Sequence, residues 1–213
     1  MRLPAHHPTE EGLLGYAMGY LGELKAVLVA THLAYCPACR ARVAAYEAQA
    51  GLWLEEATAA ADPTALERQL QALLGRLDEP STDIPRRPPE LVAPRHPEDR
   101  PVPLPLRGWR GMTLGPQDWR EVAPGVRRSA WVQRQGETSA CLLRVDPGAA
   151  VPPHRHKAEE VLLVLKGRFA DEHGAYGVGD VATRAAGMAD HSVAFPDGEC
   201  LCLMLEDAEP EFL

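Results

Sequence analysis

The feature that most constrains this 213-residue chain is a short run, His32-x3-Cys36-x2-Cys39, set inside a helical pattern. A proline follows Cys36, and the residue before a proline is disfavoured in the α region, so we expect one helix to end at Cys36. Pro37 is then expected to open the next helix, where its fixed φ is favourable. Two thiols and an imidazole therefore converge where two helices meet, one ligand short of the four that a closed zinc site requires.

A fourth metal ligand is expected near the start of the chain, where His6 and His7 precede Pro8 and the first predicted helix. The two histidines are adjacent, and boundaries counted along a sequence carry errors of about two to four residues, so position alone leaves both open. The alternative is that Cys36 and Cys39 are inert core thiols, because cysteine packs as a small hydrophobic residue. A Cys-x2-Cys run with a histidine four residues before it favours the metal site in a cytosolic protein.

Charge and composition exclude several classes of protein. The formal net charge is −8, and acidic residues outnumber basic ones in residues 1–78, 79–106 and 107–213 alike. Phosphate neutralisation needs a basic excess, so a DNA-binding role for the Cys/His segment is disfavoured and no nucleic-acid partner is expected. The N-terminus lacks the form of a secretion signal, and the longest aliphatic run is too short to cross a bilayer. We expect a soluble, cytoplasmic protein with no membrane partner, and the five cysteines agree with a reducing compartment.

Two domains are expected from the length of the chain and from a change in its periodicity. In the first, residues 1–78, apolar residues recur at helical spacing and predict helices at residues 8–20, 23–34, 37–59 and 63–78. The third helix is expected to present an apolar face to the core, made of Val43, Tyr46, Ala50 and Trp53 or Leu54. Because such a core is small, metal binding is expected to supply part of the folding free energy.

The fourth predicted helix carries a leucine stripe, made of Leu66, Leu70, Leu73, Leu74 and Leu77. Polar and charged residues lie on the opposite face of this helix. One interpretation is that the stripe packs back on the three-helix core, as amphipathic helices commonly do. The other is that the leucines lie in the groove of a partner protein.

A change of composition separates the two predicted domains. Nine prolines fall within residues 79–105, so we expect residues 79–106 to form an extended, partly stiff linker that lets the two domains vary in relative position. Beyond Gly108 the apolar pattern alternates every second residue in short runs bounded by glycine and proline. The pattern predicts an all-β sandwich or barrel over residues 107–213. Its expected strands are 126–132, 139–145, 160–165, 168–172, 178–183, 191–195 and 199–205.

A second group of candidate metal ligands lies within this β domain. The run Gly148-x5-His154-x-His156-x3-Glu160-x6-Gly167 matches the first cupin motif at every spacing. Side chains alternate along a strand, so both histidines are expected to point to one face, into the barrel. Glu160 begins the next strand and adds a carboxylate beside them.

A further histidine is expected from a later strand, and His191, after Gly179-Asp180, supplies it. The sequence departs from the usual second cupin motif here, because Ala185-Ala186-Gly187 stands in place of Pro-x-Gly. Three imidazoles and one carboxylate suit zinc, manganese, iron or nickel. The alternative is a vestigial barrel of satisfied polar residues, although several ionisable groups are costly to bury without a cation.

The remaining cysteines lie in predicted strands. Cys200 and Cys202 are two residues apart, so both thiols are expected on one face of the last strand. Same-strand neighbours are about 6.5–7 Å apart, near the upper limit for a disulfide, so buried packing is favoured over a bridge. Oxidation of free thiols near a metal is the alternative role. Cys141 has apolar neighbours and is expected in the core.

The early histidine, the His-x3-Cys-x2-Cys run, the proline-rich segment and the cupin motif together resemble the ChrR family of zinc-binding anti-sigma factors, over nearly the whole chain. Family members place the early ligand nine residues before the tyrosine of the first helix, here Tyr16, which selects His7 over His6. The resemblance implies two metal sets and places a Cys-x-Cys where Cys200 and Cys202 stand. The first set is His7, His32, Cys36 and Cys39, and the second is His154, His156, Glu160 and His191.

The resemblance implies an all-α zinc-binding domain followed by an all-β cupin, the double-stranded β-helix barrel. It also implies a cytoplasmic, non-enzymatic regulator that sequesters an extracytoplasmic-function sigma factor and represses transcription. In the family, the cupin is needed for release in response to singlet oxygen or organic hydroperoxides. The alternative is an enzyme, a metal-dependent cupin dioxygenase or isomerase whose small zinc domain serves protein contact, because cupins host many chemistries.

Overall fold

The structure is a computed structural model, and it describes residues 2–58, 62–77, 103, 105–107, 109, 112, 119–208 and 211–212. Its N-terminal part is helical and its C-terminal part is a β barrel, as the sequence predicts. Most of the expected linker lies outside the described residues, which include only 103, 105 and 106 of the range 79–106.

Four helices form the N-terminal part: α1 (Glu10–Ala17), α2 (Glu23–Tyr35), α3 (Pro37–Thr58) and α4 (Pro63–Leu77). Thr9 caps α1, since its Oγ1 accepts a hydrogen bond of 3.1 Å from the Gly12 backbone N–H. Helix α1 ends earlier than predicted because Gly19 turns the chain with a φ of 72°. Cys36 is extended, with φ −109° and ψ 102°, so the predicted break between α2 and α3 is confirmed.

Only the first half of α3 contributes to the helical core. Val43 is buried there against Cys36 and Cys39, whereas Trp53 and Leu54 are 56% and 66% exposed. The prediction that Trp53 or Leu54 continues the core face is therefore wrong. The physical reason is length: α3 has 22 residues, whereas α1 has 8 and α2 has 13, so the end of α3 extends past the helices that could cover it.

Helix α4 has no buried residue. Its five leucines, the leucine stripe, are between 44% and 77% exposed. The interpretation that this stripe packs back on the three-helix core is therefore wrong for this structure.

The C-terminal part contains twelve described strands in three antiparallel sheets. They are β1 (Trp119–Ala123), β2 (Val126–Gln135), β3 (Thr138–Val145), β4 (His154–Arg155), β5 (Glu160–Lys166), β6 (Arg168–Asp171), β7 (Gly174–Gly177), β8 (Val181–Arg184), β9 (Ala189–Asp190), β10 (Val193–Ala194), β11 (Cys200–Glu206) and β12 (Glu211–Phe212). The largest sheet has the order β1-β2-β3-β11-β5-β8, and the small ones are β10-β6-β7 and β12-β4-β9. Each predicted strand overlaps an observed one. Strands β1, β7, β9 and β12 lie outside the expected ranges, and so does β4, although His154 and His156 were expected to lie on a strand.

The six-stranded sheet is covered on both faces. Its inner face lines the barrel, where Cys200, Cys202 and Met204 of β11 belong to the barrel core. On its outer face, Leu24 and Leu28 of α2 pack in one buried cluster with β11 side chains, which are Leu201, Leu203 and Leu205. Burial on both faces explains why the segments 161–165 and 200–205 are almost continuously apolar. The two domains therefore share a core in this structure, where the sequence led us to expect that their relative position varies.

Two candidate metal centres and the joint between them

The first candidate centre, which we call the helical centre, is formed by His7, His32, Cys36 and Cys39. Their ligand atoms all lie within 4.8 Å of one another. The His32 Nε2 atom is 3.3 Å from Cys39 Sγ, and His7 Nδ1 is 3.5 Å from Cys36 Sγ and 3.4 Å from Cys39 Sγ. Bonds of about 2.3 Å to sulfur and about 2.0 Å to nitrogen at tetrahedral angles place such donors about 3.5 Å apart. The helical centre therefore has the size and the donor chemistry that a tetrahedral zinc ion requires.

Local structure sets the geometry of the helical centre. His32 lies in the last turn of α2, Cys36 is the extended residue at the corner, and Cys39 lies in the first turn of α3. The Cys39 backbone N–H donates to Cys36 Sγ at 3.4 Å, as expected at the free N-terminal amides of a helix. Three ligands are thus brought together by one break in the helical chain.

His7, not His6, completes the helical centre. The His6 ring instead lies against the ring of Tyr176 in the barrel, with 4.4 Å between centroids. The His7 ring faces that of His32 edge-on at 5.6 Å. The structure therefore places the two adjacent histidines in two different environments.

Burial governs the protonation of the helical centre. Burial, together with the neighbouring Cys36 thiol, raises the pKa of Cys39 to about 12. Burial also lowers the pKa of His32, which is 0% exposed. Without a cation, the Cys39 thiol therefore stays protonated at neutral pH. A metal ion reverses this order by stabilising the thiolate.

The second candidate centre, which we call the cupin centre, is formed by His154, His156 and Asp190, all buried. Asp190 Oδ1 is 3.2 Å from His154 Nε2 and 3.7 Å from His156 Nε2. Ligands held by bonds of about 2.1 Å lie about 3.0 to 3.4 Å apart at octahedral or tetrahedral angles. Within the part of the chain that the structure describes, His156 Nε2 and Asp190 Oδ1 are buried without a hydrogen-bond partner, and these two atoms are 3.7 Å apart. Two orphaned buried atoms at this separation fit a shared cation.

Glu160 stands beside the cupin centre, and the structure corrects the prediction for His191. Glu160 Oε2 is 3.9 Å from His156 Nδ1, and burial raises the pKa of Glu160 to about 7. His191 lies outside the group: its side chain is half-buried, and its backbone N–H donates to Glu172. Successive side chains of an extended chain point to opposite faces, so inward Asp190 leaves His191 facing away. An inward aspartate beside the expected histidine was the signal that the sequence analysis missed.

Buried charges stabilise the carboxylate of Asp190. Burial alone would raise its pKa, but His156, His154 and Arg184 outweigh that effect and lower it. Arg184 Nε donates to Asp190 Oδ2 at 3.1 Å, and Arg184 also pairs with Asp171. The pKa of His156 is raised, because Asp190 and Glu160 overcome the opposite effect of burial. Arg184 therefore fixes the outer oxygen of Asp190 and leaves the inner one directed at the histidines.

A cavity of about 810 Å³ opens onto the cupin centre, lined among others by His154 and Glu160. Cys200 and Cys202 line the same cavity, with their Sγ atoms 3.8 Å apart. Both are free thiols, and the pKa of Cys202 is raised by its hydrogen bond to Cys200 and by burial. Cys141 is also buried in the barrel core. The structure therefore shows packed thiols here.

The turn between β7 and β8 joins the barrel to the helical centre. The Gly179 carbonyl is 2.7 Å from His32 Nδ1. The neighbouring carboxylate, Asp180 Oδ1, accepts hydrogen bonds from the backbone N–H groups of Ala5 and His6, at 2.6 and 2.9 Å. The helical centre thus lies directly on the barrel.

A helical domain with a Cys/His cluster, packed on a barrel with a second histidine-rich cluster, defines a class of two-domain cupin proteins. Comparison with known proteins agrees with this. Residues 112–208 match the family described as the ChrR Cupin-like domain. The Anti-sigma-E factor ChrR of Cereibacter sphaeroides is 36% identical over 208 residues, which are 97% of this chain and 92% of that protein. The chain belongs to the ChrR family of anti-sigma factors.

A solved structure is similar over the same extent. The crystal structure of Rhodobacter sphaeroides SigE in complex with the anti-sigma ChrR matches with a TM-score of 0.74 and 33% identity. The match covers 95% of this chain and 99% of that chain. Among the residues that the structure describes here, none of the helices has the length and apolar character to cross a membrane.

Proposed function

We propose that this chain is a cytoplasmic anti-sigma factor, which sequesters an extracytoplasmic-function sigma factor and keeps transcription repressed. The relative that matches nearly its whole length is an anti-sigma-E factor, and the similar solved chain is an anti-sigma in complex with SigE. These relatives are regulators, not enzymes, which argues against the cupin dioxygenase or isomerase considered above. Residues 79–106 would serve as the connection between the sigma-binding helices and the barrel.

The observation that carries this function is the exposed leucine stripe of α4. Five leucines face solvent along one side of a 15-residue helix that buries nothing of its own. The end of α3 adds Leu52, Trp53 and Leu54, each more than half exposed. Apolar surface of this kind marks a protein interface, and an amphipathic helix meets its partner through such a face. The sigma factor is the partner that this surface would bind.

We propose zinc for the helical centre, because two thiolates and two imidazoles at tetrahedral spacing favour it. When bound, zinc would supply a cross-link that holds the start of the chain, α2 and α3 in one arrangement. His7 would tie the N-terminal segment to the α2–α3 corner, which His32, Cys36 and Cys39 form. A small domain with only a few buried side chains of its own gains stability from such a link.

For the cupin centre we propose a divalent ion held by His154, His156 and Asp190, with Glu160 available as a further ligand. Zinc, manganese, iron and nickel all accept such a nitrogen and oxygen set. The imidazole of His154 and the thiols of Cys200 and Cys202 line one cavity and are oxidisable groups of the barrel. We propose that oxidants such as singlet oxygen or organic hydroperoxides act here. Oxidation would favour a different arrangement of barrel and helices, and so release the sigma factor.

Co-purification tests the anti-sigma function. The full chain, carrying an affinity tag, is co-expressed with each extracytoplasmic-function sigma factor of the same genome and captured. We expect stoichiometric recovery of the sigma factor, and we expect a chelator that strips zinc to abolish capture. Recovery of the full chain without any sigma factor would contradict the proposal, and equal capture by the metal-free chain would contradict the role of zinc.

A further inference from the structure

We propose that the barrel turn at residues 177–180 contributes to metal binding at the helical centre. In this turn, Gly179 is a positioning residue for His32, and Asp180 is a positioning residue for His7. The inference rests on the metal site of the proposed function and assigns it a partner that lies in the other domain. It follows from three observations: a hydrogen bond to the Gly179 carbonyl, the close approach that Gly179 allows, and the hydrogen bonds to the Asp180 carboxylate.

The first contact fixes the protonation and orientation of the His32 ring. The ring is fully buried, and its Nδ1 lies 2.7 Å from the Gly179 carbonyl oxygen. A carbonyl only accepts, so Nδ1 carries the proton and donates. The free electron pair then belongs to Nε2, the atom that faces Cys39 Sγ. Partners of this kind orient metal-binding histidines and raise their basicity. Here the partner is supplied by the barrel.

The second observation explains why the turn has glycine at this position. Gly179 has a φ of 89°, a conformation that side chains disfavour. A Cβ atom there would lie 2.8 Å from Tyr35 Cβ and 2.9 Å from Pro4 Cγ. The carbonyl reaches His32 only because no side chain keeps the helical domain away. The missing side chain of Gly179 therefore allows the close approach that its carbonyl needs to reach His32.

The third contact holds the segment that carries His7. Asp180 is 2% exposed, and its Oδ1 accepts from the Ala5 and His6 backbone N–H groups. The His6 carbonyl in turn accepts from the Val181 N–H at 3.1 Å, so the segment is also bonded to the first residue of β8. His7 is the next residue, and its side chain is exposed. The chain before α1 would otherwise be a loose end, so the barrel sets where His7 stands.

These contacts give a specific consequence for metal binding. Removing a partner that orients a ligand lowers metal affinity by about 10- to 100-fold in known sites. Asp180→Ala removes the acceptor for two N–H groups of the His7 segment and leaves all four ligands in place. Zinc in this variant should therefore leave the helical centre about 10- to 100-fold faster than in the wild type.

The experiment uses the full chain loaded with zinc and a chromogenic chelator in excess, with release followed by absorbance. Cys36→Ser identifies which kinetic phase belongs to the helical centre, because that phase is lost. Asp180→Asn keeps an acceptor for the Ala5 and His6 N–H groups and should release zinc at an intermediate rate. Asp146→Ala is the control, since Asp146 forms a partly exposed pair with Arg127 elsewhere in the barrel domain, and it should release at the wild-type rate.

Gly179→Ala provides an independent variant, which separates the ligands from the turn by steric contact and should also accelerate release. If Asp180→Ala fails to fold, Asp180→Asn and Gly179→Ala decide the outcome. Folding of each variant is checked by its thermal unfolding. Wild-type release rates in the folded variants would overturn the proposal. Failure of the wild type to bind zinc or capture a sigma factor would instead contradict the proposed function.

Discussion

At the cupin centre, one position along an extended segment separates a buried carboxylate from a half-buried imidazole. Asp190 points at His154 and His156, and Arg184 holds its other oxygen. A carboxylate ligand in place of an imidazole makes the donor set harder and adds negative charge. The guanidinium of Arg184, which pairs with Asp190 Oδ2, balances that charge.

Metal content distinguishes the two residues. We expect Asp190→Ala to lose the barrel metal because it removes one of three converging ligands, whereas His191→Ala keeps it. The measurement is metal per chain, by elemental analysis of the purified full-length protein. Asp190→Asn keeps a side-chain oxygen that can accept from Arg184, so it separates the loss of the ligand charge from the effect of leaving Arg184 unpaired. Loss of the barrel metal in His191→Ala, with retention in Asp190→Ala, would show that the assignment is reversed.

The residues of the helical centre were more predictable than those of the cupin centre, for a physical reason. His32, Cys36 and Cys39 are close in sequence, so helix geometry and the break before Pro37 fix their relative positions. His7 required a resemblance to known proteins, because a contact over 25 residues leaves no local pattern. The Gly179 contact was not predictable, since nothing in a sequence shows which carbonyl a distant imidazole will meet.

At the scale of elements, α4 combines an amphipathic sequence with the absence of any buried residue. A helix of 15 residues is marginally stable alone in water, so its leucines need a covering surface. The polar face is supported by its own contacts, such as Gln71 Nε2 donating to Glu67 Oε1 at 2.9 Å. This arrangement is the one expected of a helix that completes its packing on a partner.

Charge placed on the stripe should weaken sigma binding without unfolding the chain. We expect Leu70→Lys and Leu74→Lys each to lower the affinity for the sigma factor by roughly 10-fold or more, because each change puts a charge where the complex would bury an apolar side chain. The melting temperature should not change, since neither leucine is buried. Gln71→Lys introduces the same residue on the polar face and serves as the control. Wild-type affinity in both leucine variants would exclude the stripe from the interface.

Elements with strong local signals were predicted, and the strands that were missed have five residues or fewer. The predicted helix limits lie within three residues of those observed, because Thr9, Cys36-Pro37 and Pro63 mark ends chemically. Strands β4 and β9 have two residues each and owe their existence to neighbours across the barrel. A period of two cannot be recognised in two residues. Strand β7 resembles a loop in sequence because it begins and ends with a glycine, at Gly174 and Gly177.

At the scale of the whole molecule, the helices and the barrel share one buried cluster. Leu24 and Leu28 of α2 complete the outer face of the six-stranded sheet. Lys25 adds an ion pair with Glu159, with 2.7 Å between Nζ and Oε1. The sequence led us to expect alternation along the strands, although the segments 161–165 and 200–205 are almost continuously apolar. It could not show which element covers the second face, because coverage is a property of the assembled chain.

A shared core predicts shared unfolding. We expect Leu28→Ala to destabilise the full chain by about 2–5 kcal/mol, through lost burial and a cavity between helix and sheet. The melting temperature should fall by roughly 5 to 15 °C. Circular dichroism and tryptophan fluorescence should shift together. Leu73→Ala, the same change on exposed α4, is the control and should have no effect. If the unfolding temperature of the helices fell while that of the barrel did not, the two parts would be independent domains.

The outer leucines of the sheet limit how the helices and the barrel can move against each other in the release that we propose. If the barrel swung free of α2, Leu201, Leu203 and Leu205 would meet water together, and a surface of that kind invites aggregation. A slide or tilt of the helices along the sheet avoids this exposure. Such a slide can still displace the turn at residues 177–180, which contacts the helical centre. A shift of a few ångströms there would change the helical surface that we propose binds the sigma factor.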